Sequence, residues 1–191
     1  MKALLCLDFE NDIVHPDGKV SGKGYAAYNA EHHTLTTLRR VQDQFRAAGL
    51  PVIHVRVGFF PGYAQQPKGS PLMGQAHKFG VFDLSSWGGE FLEEVAPEGE
   101  ELVITKHRVG AFYATPLDLT LKTMGVDEVC LAGVATDMAV ESTAREAHDR
   151  DFAVTVIADC CIAANDEDQQ RSLTNMKKLA SVVTSAELEL D

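Results

Sequence analysis

Short apolar runs of strand length alternate along this chain with stretches whose apolar residues recur at helical spacing. That alternation points to βα units and a parallel sheet covered by helices on both faces. The predicted strands are Lys2 to Asp8, Pro51 to Val57, Glu101 to Lys106, Asp127 to Gly133, Phe152 to Ala158 and Ser181 to Thr184. Between the first two, Leu35, Leu38, Val41 and Phe45 mark the inner face of a helix that Gly49 closes. Thr115 and Pro116 predict the N-cap and first residue of a helix with Leu117, Leu121 and Met124 inward and Gly125 at its end. Val140, Thr143, Ala144 and Ala147 form a narrow face that lets the next helix lie close to the sheet. Asn165 then caps a helix whose Leu173, Met176 and Leu179 face inward.

A chain of 191 residues, 45% hydrophobic, is long enough for one well-buried core and short for two, so a single domain over residues 1–191 is expected. Residues 58–99 break the rhythm. They are rich in Gly and Pro and hold Phe59, Phe60, Tyr63 and Trp87 without sustained periodicity, as a lid or subunit-contact insertion would.

Seventeen basic against 28 acidic residues leave a net charge of -11, which opposes partnership with nucleic acid or with an anionic membrane surface. No apolar run approaches the length of a membrane span, and the N-terminus lacks the pattern of a signal peptide, so a cytoplasmic location is expected. Cys6, Cys130, Cys160 and Cys161 show no C-x-x-C spacing and read as buried, reduced thiols, the last two placed after the fifth strand.

In an open parallel sheet, ligands bind beyond the carboxyl ends of the strands, where the strand order reverses. Asp8 closes the first strand, Lys106 closes the third, and Thr136 to Val140 open the helix after the fourth. An acid, a cation and helix N-terminal amides on one sheet edge are the parts of a hydrolytic site.

Three ordered blocks carry a family resemblance over nearly the whole chain. Leu4-Leu5-Cys6-Leu7-Asp8-Phe9-Glu10-Asn11-Asp12 resembles the opening L-L-x-I-D-x-Q-N-D of the isochorismatase-like hydrolases. Lys106-His107-Arg108-Val109-Gly110-Ala111-Phe112-Tyr113-Ala114-Thr115-Pro116-Leu117 is similar to their K-x-R-x-S-A-F-x-x-T-x-L, and Gly133-Val134-Ala135-Thr136-Asp137-Met138-Ala139-Val140 to their nucleophile turn G-V-x-T-x-x-C-V. The resemblance implies a three-layer α/β/α, Rossmann-like fold with a six-stranded parallel sheet in the order 3-2-1-4-5-6. It also implies a homo-oligomer, a small-molecule substrate and a cis peptide between Val134 and Ala135 that turns the amides of Ala135 and Ala139 toward a substrate oxygen. In that order Lys106 starts two strands from Asp8, roughly 9 to 10 Å away, and its side chain must reach inward.

The family's amidohydrolases use a cysteine that attacks the carbonyl, an aspartate that takes its proton and a lysine that favours the anionic forms. Asp8 and Lys106 match those positions, but Ala139 stands where the cysteine would be. The leading reading is therefore hydrolysis of a small polar metabolite without a cysteine nucleophile, Asp8 being the general acid or base and Lys106 its electrostatic partner. In the family's cysteine-free branch the aspartate protonates a vinyl ether, which demands a raised pKa; burial or the nearby Glu10 would supply it, and Lys106 would oppose it. The alternatives are an amidohydrolase disabled by a Cys→Ala change, and a non-catalytic binding or assembly module.

Glu10 departs from the family's glutamine. With Arg56, Phe59, Phe60 and Tyr113 it is expected to contact substrate, and Arg108, Tyr63 and Trp87 lie in segments that can line the pocket. No cofactor and no metal are expected. The nicotinamidase branch has D-x-H and a further His where this chain reads His54-Val55-Arg56-Val57-Gly58; His32 and His33 diverge on a helix, and His77, His107 and His148 lack ligand spacing.

Overall fold

The computed structural model describes residues 1–190. Strands β1 (Lys2–Leu7), β2 (Val52–Val57), β3 (Leu102–Lys106), β4 (Glu128–Val134), β5 (Ala153–Ile162) and β6 (Ser181–Val183) form one parallel sheet in the order β3-β2-β1-β4-β5-β6. The order reverses at β1, between β2 and β4, so the carboxyl ends of these strands frame the crevice in which such sheets bind ligands.

Alternation along β1 explains the layering. Leu4 and Cys6 pack on one face with Leu35, Leu38, Val41 and Phe45, whereas Ala3, Leu5 and Leu7 pack on the other with Leu117, Leu121, Val140, Ala144, Ala147, Leu173 and Met176. In chain order the helices are α1 (Asn11–Val14), α2 (Tyr25–His32), α3 (Thr34–Ala47), α4 (Ala76–Phe79), α5 (Leu117–Thr123), α6 (Glu141–His148) and α7 (Asp166–Met176). Gly49 follows α3 at φ +68°, and Gly125 follows α5 at φ +73°, the left-handed conformation in which a Cβ is disfavoured. The Asn165 side chain accepts a 2.9 Å bond from the Asp168 amide, capping α7 as predicted. Thr115 Oγ1 accepts from the Leu117 amide at 3.3 Å, with Pro116 in the cap position one residue later than expected.

Two sequence readings need correction. Cys160 and Cys161 do not follow the fifth strand but lie within it, because β5 continues past Ala158 through a bulge: Leu131 pairs with Val156 but Gly133 with Cys161. His32 and His33 do not share a helix, since His33 takes φ 54° at the junction of α2 and α3.

Residues 58–99 are stitched to the ends of β1 and β2. Phe59 bridges to Asp83, with Phe59 N–H donating to the Phe82 carbonyl at 2.7 Å and Leu84 N–H to the Phe59 carbonyl at 3.0 Å. Glu10 bridges to Phe91, and Leu92 N–H donates to the Phe9 carbonyl at 3.0 Å. Asp12, 1% exposed, accepts from the Phe82 amide at 2.8 Å through Oδ2, tying the segment to α1.

At Gly133 the sheet leaves no room for a side chain. A Cβ there would sit 2.7 Å from Leu7 Cβ and 3.0 Å from Val140 Cγ2. Gly133→Ala is expected to destabilise the fold by about 1–3 kcal/mol, read as a lower urea midpoint at unchanged m-value; an unchanged midpoint would show that Leu7 and Val140 can draw back from β4 without cost.

Candidate active site

β1 ends in Asp8, whose backbone takes φ 60°, a left-handed conformation uncommon outside glycine. Its amide still donates to the Val55 carbonyl at 2.8 Å, so the turn begins inside the hydrogen-bonded frame of the sheet. Lys106, the last residue of β3, is 1% exposed and spans the width of β2 to place Nζ 2.7 Å from Asp8 Oδ2. Its remaining donors go to the carbonyls of Val109, at 2.7 Å, and Arg108, at 3.2 Å. All three ammonium protons therefore have acceptors, and the chain after β3 is wound around the lysine.

The second wall comes from β4. The Val134–Ala135 peptide bond is cis, and Thr136–Val140 form a π-turn that runs into α6, with Val140 N–H donating to the Ala135 carbonyl at 3.2 Å. Thr136 and the helix start are anchored from behind: Thr136 Oγ1 donates to Gln169 Oε1 at 2.5 Å, and Ser172 Oγ reaches the Thr136 carbonyl at 3.2 Å. Among the described residues the Ala135 N–H has no acceptor.

Asp8, Lys106, Val134, Ala135 and Ala139 share a cavity of about 750 Å³, within the size range of small-molecule sites. Among the titratable groups at its floor, burial pushes the Asp8 carboxyl above its ordinary range, against the pull of the Lys106 ammonium. Glu10 is 1% exposed and neither of its oxygens finds a hydrogen bond; burial first, and then the charge of Asp8, pushes it well above the usual carboxylate range. A carboxyl group with no hydrogen-bond partner in an apolar setting has its protonated, uncharged form favoured. Of the two sources expected to raise Asp8, burial or the nearby Glu10, burial is the larger, and Lys106 opposes it as expected.

The structure brings Asp8, Lys106, Ala135 and Ala139 together and leaves the other expected contacts outside. Glu10 lies behind the cavity lining. Arg56 projects from β2 away from it, bonded to Thr105 Oγ1 at 3.3 Å and set 5.6 Å over the Phe91 ring. Phe59 is fully buried in the core, and Tyr63 is buried with its hydroxyl on the Val81 carbonyl at 2.8 Å. Phe60, Tyr113 and Trp87 are exposed on the outer surface, and Arg108 is turned to the Gln65 carbonyl at 3.0 Å. The reason is alternation: on β2, Val57 faces the cavity, so its neighbour Arg56 cannot. His54, facing away too, is buried with Nε2 3.0 Å from Glu101, and burial lowers its pKa.

The walls come instead from two segments, the second lying within residues 58–99, expected to form a lid or subunit-contact insertion, and the first given no role by the sequence. One is Ile13 to Tyr25, contributing Ile13, Lys19, Val20, Lys23 and Tyr25; the other is Pro71 to Phe82, contributing Met73, Phe79 and Phe82. The run Gly18-Lys19-Val20-Ser21-Gly22-Lys23-Gly24, rich in glycine and lysine just after the Asp8 block, was the available signal for the first. Among the described residues, no three His, Cys, Asp or Glu side chains converge as metal ligands would.

The isochorismatase domain model matches residues 2–187. The chain is 33% identical over 151 residues to the isochorismatase family protein YecD of Escherichia coli O157:H7, covering 78% of this chain and 77% of that protein. It is 28% identical over 183 residues to the ureidoacrylate amidohydrolase RutB of Methylobacterium radiotolerans, covering 88% and 70% respectively. The crystal structure of N-carbamoylsarcosine amidase from Thermoplasma acidophilum superimposes with a TM-score of 0.79 at 28% identity over 99% of both chains.

Two outcomes follow from the buried charges. Lys106→Ala leaves Asp8 buried without its cation and is expected to cost on the order of 3–5 kcal/mol in urea unfolding; a loss below 1 kcal/mol would mean that water replaces the lysine freely. Because the folded-state pKa of Glu10 lies above its unfolded value, its contribution to stability is intact below the unfolded pKa and is lost as pH rises toward the folded one. Glu10→Gln should therefore be more stable than the parent at pH 8, with the advantage shrinking by at most about 1.4 kcal/mol per pH unit on acidification and vanishing near pH 4. A pH-independent difference would contradict the raised pKa of Glu10.

Proposed function

This chain belongs to the isochorismatase family of hydrolases, and on that premise we propose that it cleaves a C–N bond in the amide or carbamoyl group of a small molecule by direct attack of water, with Asp8 as the general base. The observation that carries this reading is the composition of the cavity wall: among the described residues, no serine, threonine or cysteine lines the space where Asp8, Lys106 and Ala139 meet. The four thiols are buried in the core, and burial pushes Cys6, Cys130 and Cys161 up to about 12 and Cys160 higher still, so none supplies a thiolate. The Ala139 methyl has no electron pair to donate.

In the proposed step the Lys106 ammonium holds Asp8 Oδ2, and the carboxylate, whose buried Oδ1 has no donor among the described residues, takes a proton from water. The water oxygen bonds to the carbonyl carbon, and the carbonyl oxygen takes up the electron pair as an oxyanion facing the Ala135 N–H. Collapse of this adduct breaks the C–N bond, and the proton on Asp8 passes to the departing nitrogen. Burial supports the role because it makes Asp8 a stronger proton acceptor than a surface carboxylate. Residues 58–99, whose Met73, Phe79 and Phe82 wall the cavity, serve in this reading as the lid that excludes bulk water.

Two further readings rest on their own observations. The raised Asp8 carboxyl also suits protonation of a vinyl ether carbon, the chemistry of the cysteine-free branch. The amidohydrolases among the similar proteins favour a site that has lost its sulfur, in which case the chain binds an amide without turning it over.

Assay of a panel of amides, carbamoyl compounds and vinyl ethers separates all three. Under the proposal the parent hydrolyses a C–N substrate, Asp8→Asn lowers kcat by about 10² to 10⁴-fold, and no covalent adduct is seen by mass spectrometry. Turnover that survives Asp8→Asn sinks it. An inert parent whose Ala139→Cys variant gains amide turnover through a thioester supports the lost-sulfur reading, and Asp8-dependent cleavage confined to vinyl ethers supports the other.

A further inference from the structure

The cavity carries a charge imbalance that the hydrolytic machinery does not use. In a chain of net charge -11, its lining holds three lysines, Lys19, Lys23 and Lys106, against one carboxylate, Asp8. Lys106 and Asp8 neutralise each other at the floor. That leaves Lys19 and Lys23, both on the segment between α1 and α2, as an uncompensated pair of positive charges on the wall. Among the described residues neither makes an ion pair with a carboxylate. Lys19 Nζ donates to the Gly80 carbonyl, which uses one of its three protons, and Lys23 Nζ has no acceptor. The acidic groups that flank this region, Asp83 toward Lys19 and Asp137 and Asp168 toward Tyr25, lie outside the lining.

Between the lysines and the Asp8 floor the walls are apolar, built from Ile13, Val20, Met73, Phe79, Phe82 and Val109. A substrate that fits has a hydrophobic body, buried at about 25 cal/mol per Å² of apolar surface, and one anionic end. Both lysines are exposed, so their field is partly screened by solvent, yet with no carboxylate of the lining left to offset it they favour anions over neutral or cationic molecules of the same shape.

We propose that Lys19 and Lys23 select the substrate class: a small amphipathic carboxylate whose apolar body lies along the Met73 and Phe79 wall and whose hydrolysable group reaches Asp8. The inference rests on the hydrolytic reading only for the statement that the bound anion is a substrate. Binding of a carboxylate at these lysines stands or falls separately from turnover.

Isothermal titration calorimetry with three probes of one shape tests it: 4-phenylbutanoate, 4-phenylbutan-1-ol and 4-phenylbutylammonium, with acetate as a charge-only control. The carboxylate should bind at least tenfold tighter than the alcohol, the alcohol tighter than the ammonium, and acetate not measurably. Raising NaCl from 50 to 500 mM should weaken the carboxylate alone. The double variant Lys19→Gln/Lys23→Gln, its fold checked by circular dichroism, should bind the carboxylate about tenfold more weakly and the alcohol unchanged. Equal affinity of the parent for carboxylate and alcohol overturns the proposal. So does a carboxylate preference that survives the double variant, which would place the anion at the Ala135 end instead. A parent that shows the preference but hydrolyses no amide leaves the anion site standing and removes the hydrolytic reading; one that hydrolyses neutral amides without the preference does the reverse.

Discussion

The rest of the site is organised around one contact, the 2.7 Å ion pair between Lys106 and Asp8 across the width of β2. Removing an ammonium and a carboxylate from water costs several kcal/mol for each, and their mutual attraction offsets this only when the remaining donors and acceptors are matched. Lys106 meets that condition through the Val109 and Arg108 carbonyls, which forces the chain after β3 to curl back over the lysine. Asp8 is satisfied on one side only. Its Oδ1 is buried without a donor among the described residues, and a buried polar atom left unpaired in a native site is usually there to meet something else.

Around this pair the roof is held by polar contacts that are themselves buried. Asp12 accepts from the Phe82 amide, while its own carbonyl accepts from the Val20 amide at 2.8 Å, so a single residue of α1 secures both segments that wall the cavity. Gly88 is required beside it, because a Cβ there would fall 2.4 Å from the Asp12 carboxylate. The two walls are therefore not independent loops. A change at Asp12 would loosen the lysine-bearing side and the aromatic side together.

Glu10 and Ala139 set the chemistry that the proposed mechanism must work with. Burial raises the Glu10 carboxyl well above its ordinary range, which opposes a second negative charge beside Asp8. Ala139 sits in the turn after β4 with no group that can act as a nucleophile. Under the proposed mechanism that role falls to a water activated by Asp8.

Much of the fold and part of the site were legible in the residues themselves. Six apolar runs announced six strands, each to within one residue except at the end of β5, where the bulge opposite Leu131 and Gly133 depends on pairing between strands and has no local signature. Asp8, Lys106 and the Ala135 to Ala139 turn were identifiable because they lie in contiguous motifs. Which residues of β2 face the cavity was not, since the setting of the strand in the sheet turns Val57 toward the cavity and Arg56 away from it. Sequence alone determined the strand count, the helical faces and the acid, lysine and alanine at the strand ends, because periodicity and motif spacing are local properties. Only the tertiary structure decided that Lys106 makes all its hydrogen bonds at the floor, that burial raises Glu10 and that Lys19 and Lys23 line the wall, because burial and charge pairing depend on groups distant along the chain.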